Sequence, residues 1–277
     1  MRGEQTTVAR PVRKEGVGLH TGERCAVSLL PAAPDAGIVF TCAAGEEIAA
    51  AAEHVADTDR GTTLGRAEAR VGGVEHLMAA LYGMEVDNVR VEVEGPEVPA
   101  CDGSAREWVE ALRQAGRRNL GVRREVRRLG APVWVEGAGG WAMAAPGRGG
   151  LSLGVGVEFA GTVAGRQTLW VRLTRGVFAR DLAAARTFVE IKDLEGLRAR
   201  GLAQGGGPEN ALAFGPEGYS GPLRFPDEVV RHKVLDLVGD LALCGWRFEG
   251  QVVAVRPSHG LNVALARALR ESFAGRE

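Results

Sequence analysis

His232 and Asp236 stand four residues apart, and Asp240 four further on, in the stretch Arg231-His-Lys-Val-Leu-Asp-Leu-Val-Gly-Asp240. On a helix that spacing stacks all three side chains along one face. Val234, Leu235, Leu237, Val238, Leu241 and Leu243 fill most of the other positions, which predicts a well-buried helix. Ionisable groups lined up on a buried helix are costly unless something compensates them, and a metal ion does so. Taken alone, the stretch has a competing reading as a His and two Asp on a solvated face.

The chain has 5 histidines, and three of them fall in suggestive places. A lone His on an apolar helix is usually a core residue with a satisfied hydrogen bond, so grouping matters more than any single one. A catalytic zinc takes three protein ligands and keeps one position open. His232 and Asp236 from one helix, with His76 from Val74-Glu-His-Leu77, would supply them. Glu75, beside His76, could then act as general base toward a water. His259, in the turn Pro257-Ser-His-Gly260, would be a free imidazole able to protonate a leaving group, with Asp240 to orient or charge it. Lys233 and Thr187 could stabilise an oxyanion or hold a phosphate. The chemistry this predicts is metal-assisted hydrolysis of an amide or ester.

These residues sit in two halves that rhyme. Each half carries an apolar helix with a His, then a Gly, a strand, a turn containing Ser, and a second helix. In the first these are His76, Gly83, Val89–Val93, Ser104 and the helix through Trp108; in the second, His232, Gly245, Val252–Val255, Ser258 and the helix through Leu265. Two such α+β halves could face each other and build a site between them. Further strands are expected at 25–30, 37–42, 133–135, 141–144, 151–159 and 168–173. Helices are expected at 74–83, closed by Gly83, at 104–115, with Ser104 and Glu107 forming a capping box, and at 193–200. Residues 56–65 read as a polar loop, and the Arg-rich stretch 113–128, with seven arginines and two glycines, as a solvated linker between domains.

Composition narrows the classes. At 277 residues, 45% hydrophobic and 25% charged, the chain is globular and long enough for two domains. A net charge of −1 gives no support to a nucleic-acid partner. Only Lys14, Lys192 and Lys233 are Lys among 34 basic residues, which makes Lys233 beside His232 conspicuous. Cys25, Cys42, Cys101 and Cys244 are scattered, with no secretory segment, so a reducing, cytoplasmic setting is expected. No apolar run is long enough to span a membrane.

Several motifs in order closely resemble the UDP-3-O-acyl-N-acetylglucosamine deacetylase family, the zinc amidases of lipid A biosynthesis. They include Gly16-Val-Gly-Leu-His-Thr-Gly22, Val74-Glu-His-Leu77, Asp87-Asn88, Pro96-Glu-Val-Pro99 with Asp102-Gly-Ser104, and Ala185-Arg-Thr-Phe188. Further on come Gly201-Leu202 with Gly205-Gly206, Glu209-Asn210, Leu223-Arg-Phe225, Val230-Arg-His-Lys233 with Asp236 and Gly239-Asp240, and His259 with Leu261-Asn262. The resemblance runs from about residue 8 to residue 270.

It implies zinc held by His76, His232 and Asp236, Glu75 as general base and His259 as general acid. It further implies Asp240 as the partner of that His, Thr187 at the oxyanion and Lys233 on the substrate. The implied fold is α+β: two similar two-layer α/β sandwich domains, 1–120 and 128–277, with helices packed between the sheets and the active site at their interface. Each domain carries an insert, at about 52–71 and about 189–214. The second insert is expected to form an apolar passage for the acyl chain, with Phe188, Val189, Ile191, Leu194, Leu197 and Leu202 as substrate contacts. The implied partner is a small-molecule acylated UDP-sugar, met by a monomer with at most peripheral membrane contact. Three stretches depart from many members: the polar Asp59-Arg-Gly-Thr-Thr63, Gly207-Pro208, and Val157-Glu-Phe-Ala160, which lacks an aromatic and His pattern. Two competing readings stay open: the same amidase chemistry on another acylated amino sugar, and a catalytically idle binding protein on this frame.

Overall fold

The computed structural model describes residues 3–42, 45–137 and 139–274. The first half runs β1 (Glu4–Val8), β2 (Val12–Val17), β3 (Arg24–Pro31), β4 (Ile38–Thr41), β5 (Glu47–Ala49), a short turn of 3-10 helix at Ala52–His54, then β6 (Val55–Asp57), β7 (Thr63–Arg66) and β8 (Ala69–Val71). It continues through α1 (Glu75–Gly83), β9 (Val89–Glu94), α2 (Arg106–Ala115) and β10 (Arg117–Arg123). The second half comprises β11 (Val126–Arg128), β12 (Val133–Gly137), β13 (Gly140–Ala145), β14 (Leu151–Phe159), β15 (Gly165–Arg172), α3 (Arg175–Val177) leading into a π-helical turn at Phe178–Leu182, β16 (Phe188–Glu190), α4 (Ile191–Ala199), β17 (Leu212–Phe214), α5 (Glu228–Ala242), β18 (Arg247–Val255) and α6 (His259–Ala274).

The architecture is α+β, and the rhyme between the halves is topological. One sheet has the order β2-β3-β9-β4-β5 and the other β12-β13-β18-β14-β15. In each, one strand pairs in parallel with the strand that follows the buried helix: β4 with β9, and β14 with β18. That parallel return needs a crossover, which α1 and α5 provide. Both helices are buried nearly all round: α1 is mostly apolar, while α5 buries His232, Asp236 and Asp240 among its apolar residues. They pack on each other between the two sheets, and one continuous core runs through both halves.

Their contact is close because of Gly239. A Cβ there would lie 2.0 Å from the Glu75 carbonyl oxygen, a backbone atom that cannot swing aside. Gly239→Ala is therefore expected to cost about 1–3 kcal/mol or more by overpacking, and to displace Glu75. Denaturant unfolding would measure the first effect and kcat the second.

Several expectations need correction. Gly83 does not close α1 as a cap: Met84 takes that place with φ −87°, and a Cβ on Gly83 would sit 2.3 Å from the Phe178 ring. The residue is small because a ring packs on it. No capping box forms at α2. Ser104 Oγ donates to Asp102 and accepts from Arg106 N, while Glu107 pairs with Lys14. The Arg-rich stretch is not a linker: β10 pairs with β1, β11 with β18, and Arg124 is buried against Asp87. Half-buried Leu120 and Val122 alternate with exposed Asn119, Gly121 and Arg123, which marks an edge strand whose polar face is solvated. The polar loop 56–65 is half strand: it comprises the end of β6, the turn 58–62 and the start of β7, in a three-stranded sheet with β8. His259 is the first residue of α6 rather than part of a free turn.

Candidate metal centre and catalytic cleft

His76 enters from the first turn of α1 and His232 and Asp236 from successive turns of α5, and the contact between these helices brings the three together. Their ligand atoms all lie within 4.8 Å of one another. Asp236 Oδ1 is 3.3 Å from His232 Nε2 and 3.5 Å from His76 Nε2, and the two imidazoles meet edge to face at 4.9 Å. Asp236 is 2% exposed, yet Oδ1 has no hydrogen-bond partner. A buried carboxylate oxygen left unsatisfied between two imidazole nitrogens fits the donor set of a cation-binding site.

The surroundings prepare these atoms. His232 Nδ1 faces the Ala185 carbonyl at 3.0 Å, so its proton sits there and Nε2 is left free for a metal. Burial, reinforced by His76 and Lys233, takes His232 down to about 4 despite Asp236, so it is neutral at physiological pH. Burial opposes the charge of Asp236, but His232, Lys233 and His259 hold its carboxyl well below the usual carboxylate range. For His76, burial works against protonation, but the contact with Asp236 and the charge of Glu75 outweigh it and push the group up. A bound cation would displace that proton.

Glu75 lies next to this cluster, 7% exposed, with Oε2 accepting from Thr62 N at 2.9 Å. On the other side His259 Nδ1 is 3.0 Å from Asp240 Oδ2. Asp240 is fully buried and also accepts from Thr62 Oγ1 at 2.6 Å and Asn262 Nδ2 at 2.9 Å. Burial disfavours the imidazolium of His259, but Asp240 and Asp236 overcome it and raise the group to about 9. Lys233 donates to Asp236 Oδ2 at 2.8 Å. Thr187 is fixed by its backbone, donating to Gly103 O and accepting from Leu212 N. Glu75, Thr187, Lys233 and His259 line one cleft of about 430 Å³ together with His76, His232 and Asp236, while Thr62, Asp240 and Asn262 lie behind its wall.

A second cavity of about 250 Å³ opens off the first, with Leu19, Arg60, Thr187 and Phe188 shared between the two linings. Its walls are mostly apolar and include Val189, Leu194 and Leu197. Ile191 and Leu202 stand outside this lining, and Ile191 is 55% exposed. Ala203, Ala211 and Ala213 line it and were not singled out from the sequence; such small residues carry no chemical signal. The motif Gly16-Val-Gly-Leu-His-Thr-Gly22 lines this cavity with Leu19 and His20 and is tied to its far wall: Gln204 N donates to His20 O and Gly205 N to Leu19 O. A Cβ on Gly205 would lie 2.2 Å from Gly18 O, and one on Gly18 would lie 1.9 Å from Glu97 Oε2. The glycines serve close approach, and Glu97 serves to hold the loop.

Thr62 and Asn262 are the functional neighbours that the sequence reading did not place. Thr62 is a fully buried residue within the stretch 56–65 that reads as a polar loop, and Asn262 is a buried polar residue one turn after His259. The polar insert also acquires a reason: Asp59 pairs with Arg200 and Arg60 with Asp193, tying the β6–β7 turn to the end and start of α4.

A pH prediction follows from the His259–Asp240 pair. The imidazolium exists below about 9 and is lost as pH rises through that value. Asp240→Asn removes the charge that raises it, so the alkaline limb of the kcat profile is expected to move to lower pH by about one unit or more. Profiles of the two proteins side by side check this; an unmoved limb would separate His259 from that limb.

Residues 5–271 match the family model for UDP-3-O-acyl N-acetylglycosamine deacetylase. The chain is 43% identical over 270 residues to the UDP-3-O-acyl-N-acetylglucosamine deacetylase of Anaeromyxobacter dehalogenans, covering 95% of this chain and 86% of that protein. It is 42% identical to the protein of that name from Nitratidesulfovibrio vulgaris, covering 97% and 88%. For the one from Myxococcus xanthus the identity is 41%, covering 95% and 85%.

Proposed function

The chain belongs to the UDP-3-O-acyl N-acetylglycosamine deacetylase family, and from that premise we propose how its own residues hydrolyse the N-acetyl group of a UDP-3-O-acyl-N-acetylglucosamine in lipid A biosynthesis. The observation that carries the reading is the unsatisfied Asp236 Oδ1 between His76 and His232. Two imidazole nitrogens and a carboxylate oxygen beside an open cleft fit zinc as it is held in catalytic sites. When bound there, the ion supplies Lewis acidity toward the amide carbonyl and acidifies water.

The chain supplies the proton transfers. Glu75, with one oxygen fixed by Thr62, removes a proton from the attacking water. Thr187 offers its hydroxyl to the amide oxygen as negative charge gathers there. His259, its Nδ1 proton held by Asp240, carries a second proton on Nε2 and delivers it to the nitrogen as the C–N bond breaks. Amide and water thus become amine and acetate. Lys233, on the cleft wall, contacts the substrate, and the apolar cavity beyond Phe188 receives the acyl chain along Val189, Leu194 and Leu197.

Residues 1–120 and 128–277 act as two domains with this site between them, and one chain holds the whole site, as suits a monomer. Four free cysteines suit a reducing, cytoplasmic setting. The polar β6–β7 turn does not favour a different amino sugar, because its charges are engaged with α4. The test is acetate release by the zinc-loaded protein from the acylated UDP-sugar, with the unacylated one alongside. Release from the acylated substrate alone is expected; release from neither, with zinc bound, would redirect the assignment to another acylated amino sugar.

A further inference from the structure

The second sheet has an outer face that no helix covers. Registered pairs place Trp134, Met143, Val253, Gly154 and Trp170 in one row across all five strands, side chains pointing away from the core. The alternate row, with Ala142, Ala254 and Val155, is buried beneath α5 and α6. At each end of the outer row is a broad indole surface. Trp134 stacks on Trp141 at 4.6 Å and is 52% exposed; Trp170 lies over Gly154, where a Cβ would be 2.3 Å from the ring, and is 57% exposed. Val255 extends the apolar surface to Arg256, which lines the catalytic cleft.

The rim of this face is basic. Arg148, Arg166, Arg172 and Arg256 surround it against Glu136 and Glu158, and Glu158 is already paired with Arg166. Among the described residues, Arg148, Arg172 and Arg256 have no carboxylate partner, although the chain as a whole carries −1. Strand and residue spacings give the apolar part an area of about 300 Å², far below the roughly 800 Å² per partner that a stable dimer buries. Two copies face to face would also oppose like charges. Indoles at the edges of an apolar surface with arginines around it match a lipid–water interface, where amphipathic rings settle at headgroup level and cations meet acidic lipid.

We infer that the outer face of the β12–β15 sheet docks the protein onto an anionic phospholipid surface. The contact is peripheral and reversible, and it stands independently of the chemistry in the cleft. It brings the cleft mouth near a bilayer.

The test is co-sedimentation of the whole protein with vesicles of phosphatidylcholine, with and without an equal part of phosphatidylglycerol. Binding to the acidic vesicles only is expected, with a blue shift of Trp emission. Arg172→Ala is expected to weaken it about fivefold, and Trp134→Ser with Trp170→Ser to weaken it further, while acetate release in solution stays unchanged. No binding to acidic vesicles would overturn the inference, as would binding indifferent to the double Trp variant. So would a self-association that disappears with that variant, which would make the face a contact between copies.

Discussion

Glu75→Gln is expected to keep its metal and to lose about 10²–10⁴-fold in kcat. Gln preserves the shape and still accepts from Thr62 N, the bond that holds Oε2 at 2.9 Å. What it cannot do is take a proton. Glu75 is not one of the three grouped ligands, so the affinity for the ion should change little and KM should stay near its wild-type value. Metal content by elemental analysis and steady-state kinetics on the same preparation check both halves. If the ion left together with activity, Glu75 would be structural, bracing the α1–α5 contact that Gly239 makes so close.

Much of this centre was legible because helical period and burial are local properties. His232, Asp236 and Asp240 share a face by spacing alone, and the apolar residues around them announce that the face is interior. The pairing of two such helices was legible through the repeated order of helix, strand and helix, and the sheets bear it out in the parallel pairs β4–β9 and β14–β18. What stayed hidden depends on partners distant in sequence. Arg124 reads as one more exposed arginine until Asp87 and Arg247 are seen around it. Ser104 and Glu107 have capping-box spacing, but Asp102 and Lys14 claim their side chains. The charges of Asp59 and Arg60 looked out of place near an acyl site because Arg200 and Asp193 lie well over a hundred residues away. Thr62 joins Glu75 to Asp240, and no spacing links those three.

His232→Ala is the complementary experiment, expected to remove metal and activity together. Loss of a group that merely orients a ligand costs about 10–100-fold in metal affinity, so loss of the ligand itself should exceed that. The remaining atoms explain why. Without the imidazole, Asp236 Oδ1 keeps only His76 at 3.5 Å, and Lys233 already holds Oδ2. Two donors remain where a closed set of three faced the cleft. A readout independent of turnover is available: an ion that binds only the folded protein raises its melting temperature by mass action. Wild type should show a zinc-dependent rise and His232→Ala should show almost none, while Glu75→Gln should behave like wild type. Unchanged zinc content in His232→Ala would strike it from the ligand set and leave Asp236 Oδ1 without its explanation. The two variants thus separate holding the ion from moving the proton, since one is expected to abolish both and the other only the second.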